Sequence, residues 1–123
     1  MTDATFRADL RRGDLFWLDW TPGRGSEQTG LRPALIIQAD AGNSNPRYGL
    51  TLVAAVSTKG KAHIPTHAEI PPTRQNGLSE TSFVKAEQIM TVDKDRLRSR
   101  IGNITPQEMS RVETALKRAQ GLG

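Results

Sequence analysis

The sequence predicts a mainly β fold, a small and strongly bent antiparallel sheet or barrel followed by one C-terminal α-helix. Short β-prone segments recur along most of the chain, segments containing Pro and Gly separate them, and a helical period appears only near the C-terminus. A length of 123 residues suits a single domain. A sheet of this size leaves fewest exposed edges when it closes on itself, which favours a barrel.

The segments that predict strands differ in pattern. The first, Leu15 to Trp20, is aromatic and stops at a Thr-Pro-Gly turn, whereas the second opens on Arg32 and Pro33, since a strand tolerates proline at its first residues. The third is long and apolar in its middle, which predicts a buried strand. In chain order the segments are LFWLDW, RPALIIQA, LTLVAAVST, THAEI, TSFVK, IMTVD and, as a possible last strand, RLRSRI.

The C-terminal segment predicts an amphipathic helix. Thr105 is a good N-cap, Pro106 suits the first helical position, and Glu108 stands where a capping box needs it. Gly121 can end the helix. One apolar stripe at helical spacing would face the core, consisting of Met109, Val112, Leu116 and Ala119.

Composition excludes several classes of function. The chain has no cysteine, so it has no disulfide, thiolate metal site or cysteine nucleophile. A formal charge of +4 and a pI near 10.0 favour a polyanionic partner, although solubility alone could explain them. With no long apolar run and no signal-like segment, the sequence predicts a cytoplasmic protein without a membrane partner.

Few residue patterns support metal or cofactor chemistry, so we expect no metal and no cofactor. Pro65 separates the two histidines, His63 and His67, and prevents them from lying four apart on one helix. The Gly-rich segment TPGRGSEQTG leads into a strand, whereas a phosphate loop leads into a helix. The kind of site that remains is an anion site built on an arginine, because Pro33 fixes the backbone after Arg32 at the start of a buried strand.

Such a site suits the cleavage of RNA by its own 2′-hydroxyl, a reaction that needs charge stabilisation and two proton transfers. The planar donors of Arg32 match the first task. Glu27, in the loop before Arg32, is a possible base, and Ser57 or Thr58 at the end of the third strand could relay protons or hold a phosphate oxygen.

Six fragments, taken together, resemble the MazF/PemK family of bacterial toxins: RRGDLFWLDW, GSEQTGLRPALIIQAD, LVAAVSTK, PTHAEI, VKAEQIMTVDKDRL and the terminal helix. The resemblance implies one toxin domain over residues 1–123, with residues 1–10 as a flexible tail and an SH3-like, plasmid-toxin-type barrel as its fold. It also implies a homodimer that cleaves single-stranded RNA, messenger RNA above all, at specific sequences without metal. The products would be a 2′,3′-cyclic phosphate and a 5′-hydroxyl, and a MazE-like antitoxin with an acidic disordered tail would neutralise the toxin.

The family's catalytic pair is an arginine in an Arg-Pro motif and a threonine after the third strand. The arginine corresponds to Arg32, whereas the threonine corresponds to either Ser57 or Thr58, and strand alternation lets only one of them point at the phosphate. Glu27 is the fourth catalytic candidate. Residues expected to contact RNA are Ser26, Gln28, Lys59, Lys85, Glu87 and Gln88, of which Lys85 and Glu87 match residues used for acid–base work in some relatives.

Other interpretations stay open. Relatives of this fold include non-catalytic toxins that bind DNA gyrase, and a plain nucleic-acid-binding barrel is a third possibility. Trp17 and Trp20 fit core or dimer packing better than base stacking, His67 fits a partly buried structural role, and Asn43 fits a turn cap. If RLRSRI is a strand, its three alternating arginines form a basic stripe that could meet RNA or the antitoxin.

Overall fold

The computed structural model describes residues 5–123 and builds a single antiparallel sheet of six strands from the predicted segments, with one long helix packed on it. The strands are β1 (Asp14–Asp19), β2 (Leu31–Ile36), β3 (Leu50–Ser57), β4 (His67–Ile70), β5 (Ser82–Asp93) and β6 (Arg100–Asn103). The helices are α1 (Asp40–Asn43) and α2 (Pro106–Gln120), and a 3-10 turn covers Lys94–Arg96. The prediction of a mainly β fold with a C-terminal helix is confirmed.

The sheet is a curled half-barrel with the strand order β4-β5-β3-β2-β1-β6. The segment after β4 crosses towards β6, where the backbone N–H of Asn103 donates to the carbonyl of Gln75 over 3.1 Å. Gly102 permits this approach, because a Cβ there would lie 2.4 Å from the Gln75 oxygen. A loop segment therefore covers the gap between the two edge strands.

The sequence prediction divided β5 into two strands, TSFVK and IMTVD, and this was wrong. One strand of 12 residues runs through both segments. Its pairing with β3 passes from Ala55↔Lys85 to Ala54↔Ile89, so Ala86, Glu87 and Gln88 form a bulge without partners on β3. The interruption that looked like a loop in the sequence is this bulge, which bends the strand without ending it.

RLRSRI is also not one strand. Arg96 ends the 3-10 turn and donates from Nη2 to the carbonyl of Asp19, while Arg100 begins β6 and pairs with Asp14 at 2.6 Å. The predicted in-register basic stripe is therefore wrong. The reason is that Leu97 is buried and fixes a turn at this point, which local alternation cannot reveal.

Helix α1 was not predicted, and a buried lysine from the far end of β5 supports it. Lys94 is fully buried and its Nζ donates to the carbonyls of Gly42, Asn43 and Asn45 at 2.8, 3.2 and 3.0 Å. Burial lowers the pKa of Lys94. Asn43 is buried too, and its Nδ2 donates to the Gln38 carbonyl, as the predicted turn cap requires.

Apolar side chains cover both faces of the sheet. Helix α2 covers one face, where Leu15, Leu35 and Val84 meet Met109 and Val112. Its N-terminus has the predicted capping box between Thr105 and Glu108, and Gly121 ends it in the left-handed conformation. No helix within the described residues is long and apolar enough to cross a membrane.

The second apolar cluster lies on the opposite face of the sheet and includes the chain before β1. Leu10 is fully buried there beside Phe16 and Leu18. Of the tail expected over residues 1–10, residues 1–4 lie outside the described part, and residues 6–10 make specific contacts. The N–H of Phe6 donates to the Pro46 carbonyl, and the guanidinium of Arg7 lies 4.8 Å from the ring centre of Phe16.

Candidate anion-binding site

A cavity of about 550 Å3 opens where the β1–β2 loop, the start of β2 and the end of β3 meet. It gathers eight of the ten predicted site residues, which are Ser26, Glu27, Gln28, Arg32, Ser57, Thr58, Lys59 and Lys85. Three strands that are distant in sequence thus bring the predicted residues to one place. The remaining two, Glu87 and Gln88, line a smaller cavity of about 340 Å3 on the other side of the β1–β2 loop.

The Arg-Pro sequence explains how the β1–β2 loop is attached to this site. The N–H of Ile37 donates to the carbonyl of Leu52, and this register would pair Pro33 with Val56. Pro33 has no N–H to donate. The Val56 carbonyl instead accepts from Nε2 of Gln28 over 2.9 Å. Proline at this position therefore frees an acceptor that anchors the loop beside Arg32.

Arg32 projects into the cavity as an exposed cation. Among the described residues, the one hydrogen bond of its side chain runs from Nη1 to the adjacent Leu31 carbonyl at 3.0 Å, and no described carboxylate pairs with the guanidinium. The cavity lining holds Arg32, Lys59 and Lys85 against the carboxylates of Glu27 and Glu80. An exposed guanidinium with free donors in a basic cavity is suited to hold a phosphate.

Ser57 and Thr58 both line the cavity, but they differ in their position relative to Arg32. Continuing the Ala34↔Ala55 register by two residues sets Ser57 opposite Arg32, and residues opposite each other share a face. Thr58 follows the end of β3 and is exposed. The Oγ of Ser57 accepts from the N–H of Lys59 over 3.1 Å, which orients that hydroxyl. The register thus favours Ser57 as the partner of Arg32.

Glu27 lines the cavity while it stabilises its own loop. Its Oε1 accepts from the N–H of Arg24 over 2.7 Å, and its N–H donates back to the Arg24 carbonyl. This reciprocal pair is a turn, so one carboxylate oxygen is already engaged.

Glu87 and Gln88 lie in the β5 bulge and reach different loops. Gln88 accepts from the N–H of Gln28 at 2.5 Å and donates to the Ser26 carbonyl at 3.1 Å. Glu87 contacts Nε2 of His67 at 2.9 Å. Partial burial alone would raise the pKa of Glu87, but the His67 hydrogen bond and further donors outweigh it and lower that pKa. The His67 side chain is almost buried, as the sequence predicted.

One wall of the cavity was missed in the sequence. Gly77, Leu78, Ser79 and Glu80 line it, and buried Asn76 holds this segment in place. The Oδ1 of Asn76 accepts from the N–H groups of Thr73 and Leu78, and its Nδ2 donates to the Pro71 carbonyl. The Asn-Gly pair was a readable turn signal, yet nothing local indicated that the turn faces the site.

The chain is thus a small curled half-barrel with a C-terminal helix and a cavity lined by Arg32, Lys59 and Lys85 at the ends of its central strands. Residues 11–119 match the family described as PemK-like, MazF-like toxins of type II toxin–antitoxin systems. The chain belongs to this family.

Curated relatives and solved structures agree with that assignment. The chain is 42% identical over 115 residues to the endoribonuclease MazF of Staphylococcus epidermidis, with 92% of each chain covered. An endoribonuclease solved in complex with its cognate antitoxin from a mycobacterial species is 29% identical, with a TM-score of 0.75 over 93% of this chain and 97% of that one. MazF from Deinococcus radiodurans is 27% identical, with a TM-score of 0.73 over 91% and 96% of the two chains. The predictions of a MazF/PemK-type toxin and of an endoribonuclease are confirmed.

Proposed function

We propose that the protein cleaves single-stranded RNA at specific sequences by attack of the 2′-hydroxyl on the adjacent phosphorus, without metal. The products are a 2′,3′-cyclic phosphate and a 5′-hydroxyl. The observation that carries this proposal is Arg32, an exposed guanidinium without a carboxylate partner among the described residues, in one cavity with Ser57 and Thr58.

The chemistry needs little from the protein besides charge and proton transfer. As the 2′-oxygen forms its bond to phosphorus, negative charge grows on the non-bridging oxygens, and the bond to the 5′-oxygen then breaks. Arg32 donates hydrogen bonds to those oxygens, a contribution of about 3–4 kcal/mol for a well-placed donor. The 2′-proton leaves to a base and the 5′-oxygen gains a proton, with Glu27 and the hydroxyl of Ser57 or Thr58 as the candidates.

The remaining lining residues contact the RNA chain around the scissile phosphate. Lys59 and Lys85 attract the phosphates on either side, and Ser26 and Gln28 face the bases from the β1–β2 loop. Glu87 and Gln88 face the RNA from the smaller cavity across that loop.

Two relatives indicate the cellular setting. An endoribonuclease from a mycobacterial species was solved with its cognate antitoxin, and MazF from Deinococcus radiodurans was solved with MazE. We propose that this protein also binds a MazE-like antitoxin, acts as a homodimer in the cytoplasm, and inhibits translation and growth by cutting messenger RNA.

The test incubates the purified protein with a long mixed-sequence RNA in EDTA and analyses the new ends. We expect cyclic phosphate and 5′-hydroxyl ends, and no cleavage where a 2′-deoxy nucleotide replaces the attacking ribose. Arg32→Ala should lower the rate at least about a hundredfold, because a transition-state donor is lost. Arg118→Ala, an exposed arginine near the end of α2, is the matched control and should cleave as the wild type does.

Dependence on a divalent ion, or 5′-phosphorylated products, would refute the mechanism. A non-catalytic toxin, such as one that binds DNA gyrase, or a plain nucleic-acid-binding barrel would leave the RNA intact under all conditions.

A further inference from the structure

The β5 bulge connects the two loops that flank the cavity. Its residues Glu87 and Gln88 are consecutive, yet Gln88 bonds the β1–β2 loop through Gln28 and Ser26, whereas Glu87 bonds the end of the β3–β4 loop. The three-residue bulge is therefore hydrogen-bonded to both the β1–β2 loop and the end of the β3–β4 loop, and residues of both loops line the cavity.

The β3–β4 loop, residues 58–66, is attached to the bulge at its end by a backbone hydrogen bond, from the N–H of Ala86 to the Thr66 carbonyl at 2.8 Å, and further back by the side chain of the next residue, His67. The Nδ1 of His67 accepts from the N–H of Lys61 at 3.1 Å, and its Nε2 lies 2.9 Å from Oε2 of Glu87. A second contact joins Oγ1 of Thr66 to Oε1 of Glu87 at 3.1 Å. His67 thus joins the middle of the loop to the bulge.

These contacts fix the protonation of the ring. A backbone N–H can only donate, so Nδ1 accepts from Lys61 as the unprotonated ring nitrogen, and Nε2 carries the proton and donates a hydrogen bond to Glu87. In this form the imidazole is neutral and links the N–H of Lys61 to the carboxylate of Glu87.

The loop has little freedom beside this attachment. A Cβ on Gly60 would lie 2.3 Å from Cβ of Phe83, so the chain runs close to β5 at that point. Thr58 and Lys59 come just before Gly60 and line the candidate site. We expect the positions of Thr58 and Lys59 to depend on both the close approach of Gly60 to Phe83 and the attachment of the loop through His67.

We propose that His67 is a positioning residue that locks the β3–β4 loop onto Glu87 and so sets the distance between the two walls that select the RNA sequence. The proposal rests on the proposed RNA cleavage for its consequence, but the lock itself can be tested without RNA. Loss of the lock should weaken RNA binding and broaden the choice of cut sites, while the cleavage products keep the same ends.

Limited trypsin digestion measures the lock directly, because Lys59 and Lys61 are tryptic sites inside the loop. His67→Ala loses both ring contacts. His67→Asn can keep an acceptor near Nδ1 for Lys61, and His67→Gln can keep a donor near Nε2 for Glu87. We expect cutting after Lys59 and Lys61 to speed up about fivefold for each hydrogen bond lost, so His67→Ala should be cut fastest.

Two controls separate the lock from general destabilisation. His63→Gln changes the other, exposed histidine of the same loop and should be cut as slowly as the wild type. Cutting after Arg111 and Lys117 in α2 should stay slow in every variant, because only the loop is released.

His67→Ala loses the contacts with Lys61 and Glu87, and Glu87→Ala loses the contacts with His67 and Thr66, so the two variants share one lost contact. The double variant should therefore be cut about fivefold faster than either single variant, which is far less than the product of the two single effects.

If the loop of every His67 variant is cut at the wild-type rate, the proposal is overturned. Faster cutting across the whole chain would also overturn it, because that result indicates only a structural role for His67.

In RNA cleavage assays of the His67 variants, we expect a raised KM, a broader set of cut sites and a kcat within about twofold of the wild type. A released loop with unchanged KM and cut sites would refute the specificity role. If the wild type does not cleave RNA at all, the proposed function fails while the digestion pattern still tests the lock.

Discussion

At the scale of single residues, the site depends on two properties of neighbouring residues: Pro33 has no backbone N–H to donate, and Arg32 carries an exposed guanidinium. Pro33 leaves the Val56 carbonyl without its strand partner, and Gln28 takes that acceptor. Arg32 is left exposed next to the anchored loop, with donors available to an anion. A local pair of residues thus fixes both the cation and the wall beside it.

The two hydroxyls near Arg32 can be distinguished by substitution. We expect Ser57→Ala to lower the cleavage rate at least about tenfold more than Thr58→Ala, because the register places only Ser57 opposite Arg32. Single-turnover rates on one RNA substrate give the comparison. A larger loss in Thr58→Ala would show that the chain after β3 turns its threonine towards the phosphate.

At the scale of elements, short irregular segments position the site more than the strands do. The β5 bulge holds two loops, and the segment after β4 both bridges the sheet edges and supplies the wall at residues 77–80. Asn76 is the centre of that segment, since it is fully buried with its side-chain oxygen and nitrogen both bonded.

Removal of the Asn76 side chain should therefore be costly. Asn76→Ala leaves two backbone N–H groups and one carbonyl without their partner, and we expect about 2–4 kcal/mol of lost stability. The neighbouring variant Gln75→Ala removes one exposed bond to Asn103 and should cost less than about 1 kcal/mol. Urea denaturation of both variants makes the comparison, and equal midpoints would mean that the turn does not depend on Asn76.

At the scale of the whole molecule, an apolar strip extends beyond the core that α2 covers. Trp17 pairs with Pro33, and Leu31 lies two residues before Pro33 on the same face, with exposed fractions of 37% for Trp17 and 48% for Leu31. Trp20, in contrast, is buried in the second core. Trp17 and Leu31 also line the edge of the cavity that holds Arg32, so the strip borders the candidate site. We expect a second copy of the chain to cover this strip and to lie next to the cavity.

The proposed homodimer gives the prediction at this scale. Leu31→Lys should raise the dimer dissociation constant about tenfold or more, because burial of a leucine side chain is worth about 1.5–3 kcal/mol. Leu122→Lys, an equally apolar exposed position near the C-terminus, should leave the constant unchanged. Sedimentation equilibrium measures both. A monomeric wild type, or equal constants for the two variants, would contradict the expected dimer surface.

Local patterns in the sequence predicted the fold class, the C-terminal helix with its capping box and the first four strands as segments, and eight of the predicted site residues line the cavity. These features depend on interactions within a few residues, namely the alternation of apolar and polar side chains in a strand, a helix cap three positions away and a proline without an N–H to donate. Arg32 and the family resemblance could be read directly because their signal is local. The predicted roles of the individual site residues remain predictions.

Features that join distant segments depend on how the chain packs in three dimensions. Whether a polar interruption is a loop or a bulge depends on the strand beside it, which is why β5 was divided in two and RLRSRI was taken for a strand. Lys94 under α1 and the His67–Glu87 contact join residues far apart in sequence. These contacts form because buried polar groups need hydrogen-bond partners in the folded chain. The partners are not spaced periodically along the sequence, so sequence patterns do not predict them.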